Sequence, residues 1–89
     1  MKQVTINFQH IKSVEQAHKL LAKKLMLPAY YGNNLDALFD CLTEIDTPKK
    51  FIIKNRSCAA AELKAFSEKL VDVLYDAQAE NNKLKIIEK

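Results

Sequence analysis

Apolar and polar residues alternate at the start of the chain. The segment Gln3-Val4-Thr5-Ile6-Asn7-Phe8 puts Val4, Ile6 and Phe8 on one face, the two-residue period of a strand. The period then lengthens. Val14, Ala17, Leu20, Leu21 and Leu25 recur at helical spacing behind a Ser13 and Gln16 pair that fits a capping box. Pro28 disfavours a helical residue before it, so this helix should stop there and a connector should run to Asn33. Asn34 is placed to cap a second helix. In that helix Leu35, Leu38, Leu42 and Ile45 form one stripe, with Cys41 at its edge and Phe39 at its border. Asp36, Asp40 and Glu44 fall on the other side, four residues apart, with Thr43 among them. Phe51-Ile52-Ile53 reads as a short buried strand. Ser57 can cap a helical stretch over 58–80, in which Leu63, Phe66, Leu70, Val71, Leu74 and Ala77 make the buried face. Ser67 offers a second start, so this stretch reads as one helix or two. Asn81-Asn82 ends it, and Leu84-Lys85-Ile86-Ile87 reads as a last strand.

Long helical crossovers between strands favour parallel pairing with right-handed connections. The expected fold is therefore α/β: a three-stranded parallel sheet with one helical layer, in the order β-α-α-β-α-α-β. Its 89 residues suffice for one domain, 1–89. A single glycine, Gly32, and two prolines leave little room for long loops. No apolar run approaches a membrane span, and residues 1–12 contain no apolar core of a secretory signal. Cys41 and Cys58 do not make a disulfide framework at this length, so reduced thiols and a cytoplasmic location are expected.

Charge changes the picture. The net charge is +3, yet residues 25–48 hold Asp36, Asp40, Glu44 and Asp46 and no Lys or Arg. The rest of the chain carries all 14 basic residues against seven acidic ones. Such segregation points to an acidic surface on an otherwise basic body. Asp36 has an ordinary explanation, because a carboxylate in a first turn suits the helix dipole. Asp40 and Glu44 have less of one, since like charges four apart on a helix are mildly unfavourable.

The run Tyr30-Tyr31-Gly32-Asn33-Asn34-Leu35-Asp36-Ala37-Leu38-Phe39-Asp40-Cys41-Leu42-Thr43 resembles the barstar family over a long and specific stretch. Leu27-Pro28 before it and Asp76-Ala77-Gln78-Ala79-Glu80 before the last strand extend the similarity across the chain. The resemblance implies a parallel sheet packed by helices. It also implies tight inhibition of a basic, extracellular guanyl-type (barnase-like) ribonuclease, held harmless inside the producing cell, as an immunity protein or antitoxin would. By the same resemblance Asp40 enters the nuclease's phosphate site and Asp36 is a neighbouring contact. Tyr30, Gly32, Asn34, Leu35, Phe39, Thr43 and Glu44 fall on or beside interface positions, and Asp76 is an acidic contact from the late helix. The chain departs from the family's best-known member at Phe39 and Ile45, where that protein has Trp, and at Glu44, where it has Gly. It also lacks that protein's strong net acidity.

The chemistry is reasonable. A ribonuclease cleft binds a polyanion and is lined with cations, so carboxylates on a rigid helix can occupy it at small entropic cost. Local packing offers plainer readings for several of these residues. Gly32 can be a turn residue at positive φ, Phe39 a core residue and Cys41 a packing residue, while His10 and His18 are expected in solvent. One of Tyr30 and Tyr31 should be buried, with Tyr30 the exposed one. Enzyme readings fail for want of a phosphate loop, a Cys-x-x-Cys or a nucleophile motif. No metal or cofactor is implied, and a monomer is expected. A nucleic-acid reading rests on Lys49, Lys50, Lys54 and Arg56 around the second strand. No aromatics interleave with them and the acidic helix would repel the ligand, so nucleic acid is not the expected partner. A barstar-like fold that binds a different protein partner is the remaining alternative.

Overall fold

The computed structural model describes residues 2–28 and 31–89. Three parallel strands, β1 (Lys2–Asn7), β2 (Lys49–Lys54) and β3 (Leu84–Glu88), form one sheet in the order β1-β2-β3. Its register pairs Val4 with Phe51 and Ile6 with Ile53, and Phe51 in turn with Ile86. Helices α1 (Val14–Leu25) and α2 (Leu35–Thr43) connect β1 to β2, and α3 (Lys64–Glu80) connects β2 to β3. The expected parallel α/β architecture is what the chain adopts.

Alternation along the strands decides which face is covered. Val4, Ile6, Phe51, Ile53, Leu84 and Ile86 point to one side and are buried there. Ala17 and Leu21 of α1, Leu38 and Leu42 of α2, and Leu70, Val71, Leu74 and Ala77 of α3 join the same core. Each large side chain removed from water there contributes about 1.5–3 kcal/mol. All three helices therefore serve one face of the sheet, as a single layer.

Helix ends follow local chemistry, with corrections. Ser13 Oγ accepts from the Gln16 N–H at 3.0 Å, as a cap should. Gln16 Oε1 accepts from the Lys12 N–H at 2.6 Å, one residue before the reciprocal partner of a capping box. Helix α1 stops before Pro28 can act. Met26 turns left-handed at φ 55°, and the Leu27 N–H reaches back to the Ala22 carbonyl at 2.9 Å. Residues 58–80 resolve into the end of one 3₁₀ turn (Arg56–Cys58), a second (Ala61–Leu63) and the single helix α3. Ser57 lies inside the first turn and caps nothing, because α3 begins after Leu63 without a side-chain cap. Ser67 is buried within α3, where its hydroxyl donates to the Lys64 carbonyl at 2.8 Å and starts no new helix.

Two further expectations change. Val14 is 40% exposed, because the apolar stripe of α1 begins at Ala17. His18 is not in solvent. It is 2% exposed, its Nδ1 lies 2.6 Å from the Tyr31 hydroxyl, and its ring stands edge-on to Phe66. Desolvation of this ring favours the neutral form and lowers its pKa below 6.5.

Candidate functional site

Helix α2 is held at both ends. At its start, Asn34 Oδ1 accepts from the Ala37 N–H at 2.8 Å, and Asn34 Nδ2 donates to the Gly32 carbonyl at 3.3 Å. The left-handed residue of this turn is Asn33, at φ 53°, and not Gly32, which has no positive φ. Gly32 is instead a place of close approach: a Cβ added there would lie 3.0 Å from Asn34 Nδ2. Tyr30 lies outside the described residues. Tyr31 is buried, as one of the two tyrosines was expected to be, and burial raises its hydroxyl pKa to about 12.

At the other end, buried Asn81 donates from Nδ2 to the carbonyls of Leu42 (3.0 Å), Ile45 (2.8 Å) and Thr43 (3.4 Å). Leu42 and Thr43 belong to the last turn of α2, where carbonyls lack full helical partners, and Ile45 lies just beyond it. Asn81 thus ties the last turn of α2 to the chain between α3 and β3. In sequence it signals only the end of a helix, since its partners lie 36–39 residues away.

Between these anchors α2 presents its acidic side. Asp36 and Asp40 are exposed, and Asp76 of α3 is exposed beside them. The three carboxylate residues border one shallow depression between α2 and α3, lined also by Leu35, Phe39 and Val73. Leu35 and Phe39 are half-buried and rest on the core, which answers the choice between core and surface for Phe39: it does both. Val73 is a member that sequence reasoning missed; its place three residues before Asp76, nearly one turn away on the same helix face, was the available signal. Asp40 also borders a second depression, with Tyr31, Ala37, Cys41 and Glu44. It stands between the two hollows.

Glu44 occupies the C-cap of α2, where no basic residue lies in the last turn. A carboxylate at that end opposes the helix dipole, so the position does not serve the helix. Thr43 is half-buried, and its hydroxyl donates to the Asp40 carbonyl at 2.9 Å. Cys41 feels the acidic surroundings: burial first, then Glu44 and Asp40, push its thiol pKa up. Both cysteines are free.

The four basic residues around β2 do not form one patch. Lys50 and Lys54 alternate with the buried Phe51 and Ile53 and project from the uncovered face of the sheet, whereas Lys49 shares the parity of Phe51. Arg56 Nη1 bonds Glu88 Oε1 at 3.0 Å, and Tyr75 donates to the other oxygen of that carboxylate at 2.9 Å. These two partners, Tyr75 foremost, lower the Glu88 pKa. Among the described residues, no group of three His, Cys, Asp or Glu could hold a metal ion, and no helix is long and apolar enough to cross a membrane.

Comparison with known proteins agrees with this geometry. A family profile described as "Barstar (barnase inhibitor)" matches residues 1–87. A protein of Bacillus subtilis (strain 168), named "Putative ribonuclease inhibitor YrdF", is 36% identical over 89 residues, covering 98% of each chain. A full-length match of this kind, on a parallel sheet with its acidic helix anchored at both ends, shows that the chain belongs to the barstar family.

Proposed function

We propose that this protein blocks a basic, barnase-like ribonuclease by seating α2 and the loop before it in the nuclease's active-site cleft. Membership of the barstar family makes the chain an inhibitor rather than an enzyme. The observation that carries the finer reading is the meeting of Asp36, Asp40 and Asp76, from two helices, around the apolar floor of Leu35, Phe39 and Val73. Carboxylates around an apolar centre match a cleft that holds cations for phosphates and a flat surface for a base. Asp40 takes the central phosphate position, with Asp36 and Asp76 flanking it. Gly32, Asn34, Leu35, Phe39, Thr43 and Glu44 complete the contact surface, together with Tyr30. Two free cysteines fit an inhibitor that acts as a monomer in the cytoplasm and protects the cell from a nuclease it exports.

The test is a titration of the protein into a barnase-like ribonuclease assay, with Asp40→Ala alongside. The wild type should inhibit at one-to-one stoichiometry. Asp40→Ala should weaken the complex by at least ~2 kcal/mol, the scale of an interface hot spot, with its thermal unfolding unchanged because the residue is exposed. Full inhibition by a folded Asp40→Ala protein would refute the placement. No inhibition by the wild type would move the function to a different protein partner.

A further inference from the structure

The helices leave the second face of the sheet uncovered, and that face is cationic. Its rows run across all three strands in register: Gln3, Lys50 and Lys85, then Thr5, Ile52 and Ile87, with Asn7 beside Lys54 at one end. No acidic residue occupies any of these positions. Among the described residues, neither Lys50, Lys54 nor Lys85 has a carboxylate within ion-pair distance. Ile52 is buried, yet among the described residues it is the one buried apolar residue outside the main core.

The face continues past the β1 edge. A groove between β1 and α1 has Thr5, Asn7 and Leu20 in its walls and Lys19, Lys23 and Lys24 along its rim. Glu15, paired with Lys19 at 3.1 Å, is the carboxylate nearest this rim on α1, and the pair is exposed on both sides.

Stability does not account for the arrangement. Lys50 and Lys85 are direct lateral neighbours, and like charges so placed destabilise a sheet. Solubility alone would be served by either sign of charge. We propose that this open face, with the β1–α1 groove, binds the backbone of single-stranded RNA. The inference goes beyond nuclease inhibition and does not depend on it.

The lining favours this occupant. Lysines interspersed with Gln3, Thr5 and Asn7 supply charge for phosphates and neutral hydrogen-bonding groups for riboses and base edges. A flat face about 10 Å across three strands suits an extended single strand, whereas a duplex needs an element that enters its groove. Lysines alone can adsorb to an anionic bilayer, but firm seating there also uses exposed large apolar residues, and among the described residues the face offers none beyond Met26 at its margin. With no aromatic side chain on it, the face gives sequence-independent, salt-sensitive binding. Helices α2 and α3 lie on the opposite side of the sheet, so bound RNA leaves Asp36, Asp40 and Asp76 uncovered.

The experiment uses the intact protein and a fluorescein-labelled oligouridylate in an anisotropy titration. Binding should weaken roughly tenfold as salt rises from about 50 mM to about 150 mM, since each neutralised phosphate contributes a slope of about −0.7. The triple variant Lys50→Gln/Lys54→Gln/Lys85→Gln should lose at least about tenfold at low salt and show a shallower slope. Its melting temperature should equal or exceed that of the wild type, because lateral repulsion is removed, and its inhibition of the nuclease should persist. The corresponding triple Lys→Arg variant should keep RNA affinity. Absence of binding at low salt would overturn the inference, as would a folded Gln variant with unchanged affinity and slope. Tighter binding to phosphatidylserine vesicles than to the oligonucleotide would overturn it in favour of a membrane surface.

Discussion

His18 shows how one buried side chain connects stability to the binding loop. Its ring is dry, packed on Phe66 and within hydrogen-bond distance of Tyr31, in the segment that leads into α2. Its pKa is lowered in the folded state, so below pH 6.5 the unfolded chain binds more protons than the native one. The stabilisation is therefore full above pH 6.5 and is lost as pH falls from there through the depressed folded value. Tyr31 acts at the other limit. Its pKa is raised from 10.0 to about 12, so its contribution is present below pH 10 and is lost as pH climbs through that window. Urea midpoints at pH 7.5 and pH 5 should show a drop for the wild type that is much smaller for His18→Phe. Equal drops in both proteins would assign the acid sensitivity to other groups.

At the scale of the element, α2 is short, only nine residues, and isolated helices of that length are not stable in water. It persists because Leu38 and Leu42 are fully buried and because Asn34 and Asn81 satisfy its two ends. Removing the Asn81 amide takes the donor from the part-buried Ile45 carbonyl and leaves the Leu42 carbonyl with only the long 3.3 Å bond from the Ile45 N–H. Asn81→Ala should cost about 1–3 kcal/mol in urea denaturation and weaken inhibition, because the last turn of α2 carries Thr43 and Glu44. A loss below about 0.5 kcal/mol would mean that water or the relaxed backbone replaces these bonds. The contrast between Asn34 and Asn81 explains what was legible in the sequence. Strands β1 and β3, the Asn34 cap and the stripes of α2 and α3 rest on short-range periods, and the structure keeps them, except that α2 ends at Thr43 and leaves Ile45 beyond the helix it was expected to close. The roles of Asn81, His18 and Val73 depend on partners from other elements, which no local pattern announces. The misplaced start of α3 has a local cause: Ser57 and Ser67 both have capping chemistry, but the chain between them turns twice as 3₁₀ before packing Leu63. Gly32 looked like the left-handed residue because glycine is the usual one, whereas Asn33 tolerates that conformation and Gly32 serves close contact.

For the whole molecule the question is whether net charge or its distribution governs association. A protein of charge +3 should be repelled by a basic nuclease if it acts as a point charge. Salt would then screen the repulsion and speed association. The molecule is not a point on the relevant scale. It measures 34 × 29 × 19 Å, against a Debye length of ~8 Å at physiological ionic strength. The acidic side of α2 and α3 and the lysines of the open sheet face are separated by the sheet and the helical layer. A nuclease approaching the acidic side meets Asp36, Asp40, Glu44 and Asp76 first, while the lysines behind are screened. The association rate constant should therefore fall as salt is raised, by several-fold between about 20 mM and about 500 mM, with little change in dissociation. Stopped-flow mixing with the barnase-like nuclease measures this directly. Asp36→Asn/Asp76→Asn should flatten the salt dependence, because both charges lie on the approaching side. Replacing Lys50, Lys54 and Lys85 with Gln should leave the salt dependence near wild type, although this removes three positive charges and shifts the net charge further than the Asp→Asn pair does. A rate that rises with salt in the wild type would show that the net positive charge prevails, and that α2 acts only after contact has been made.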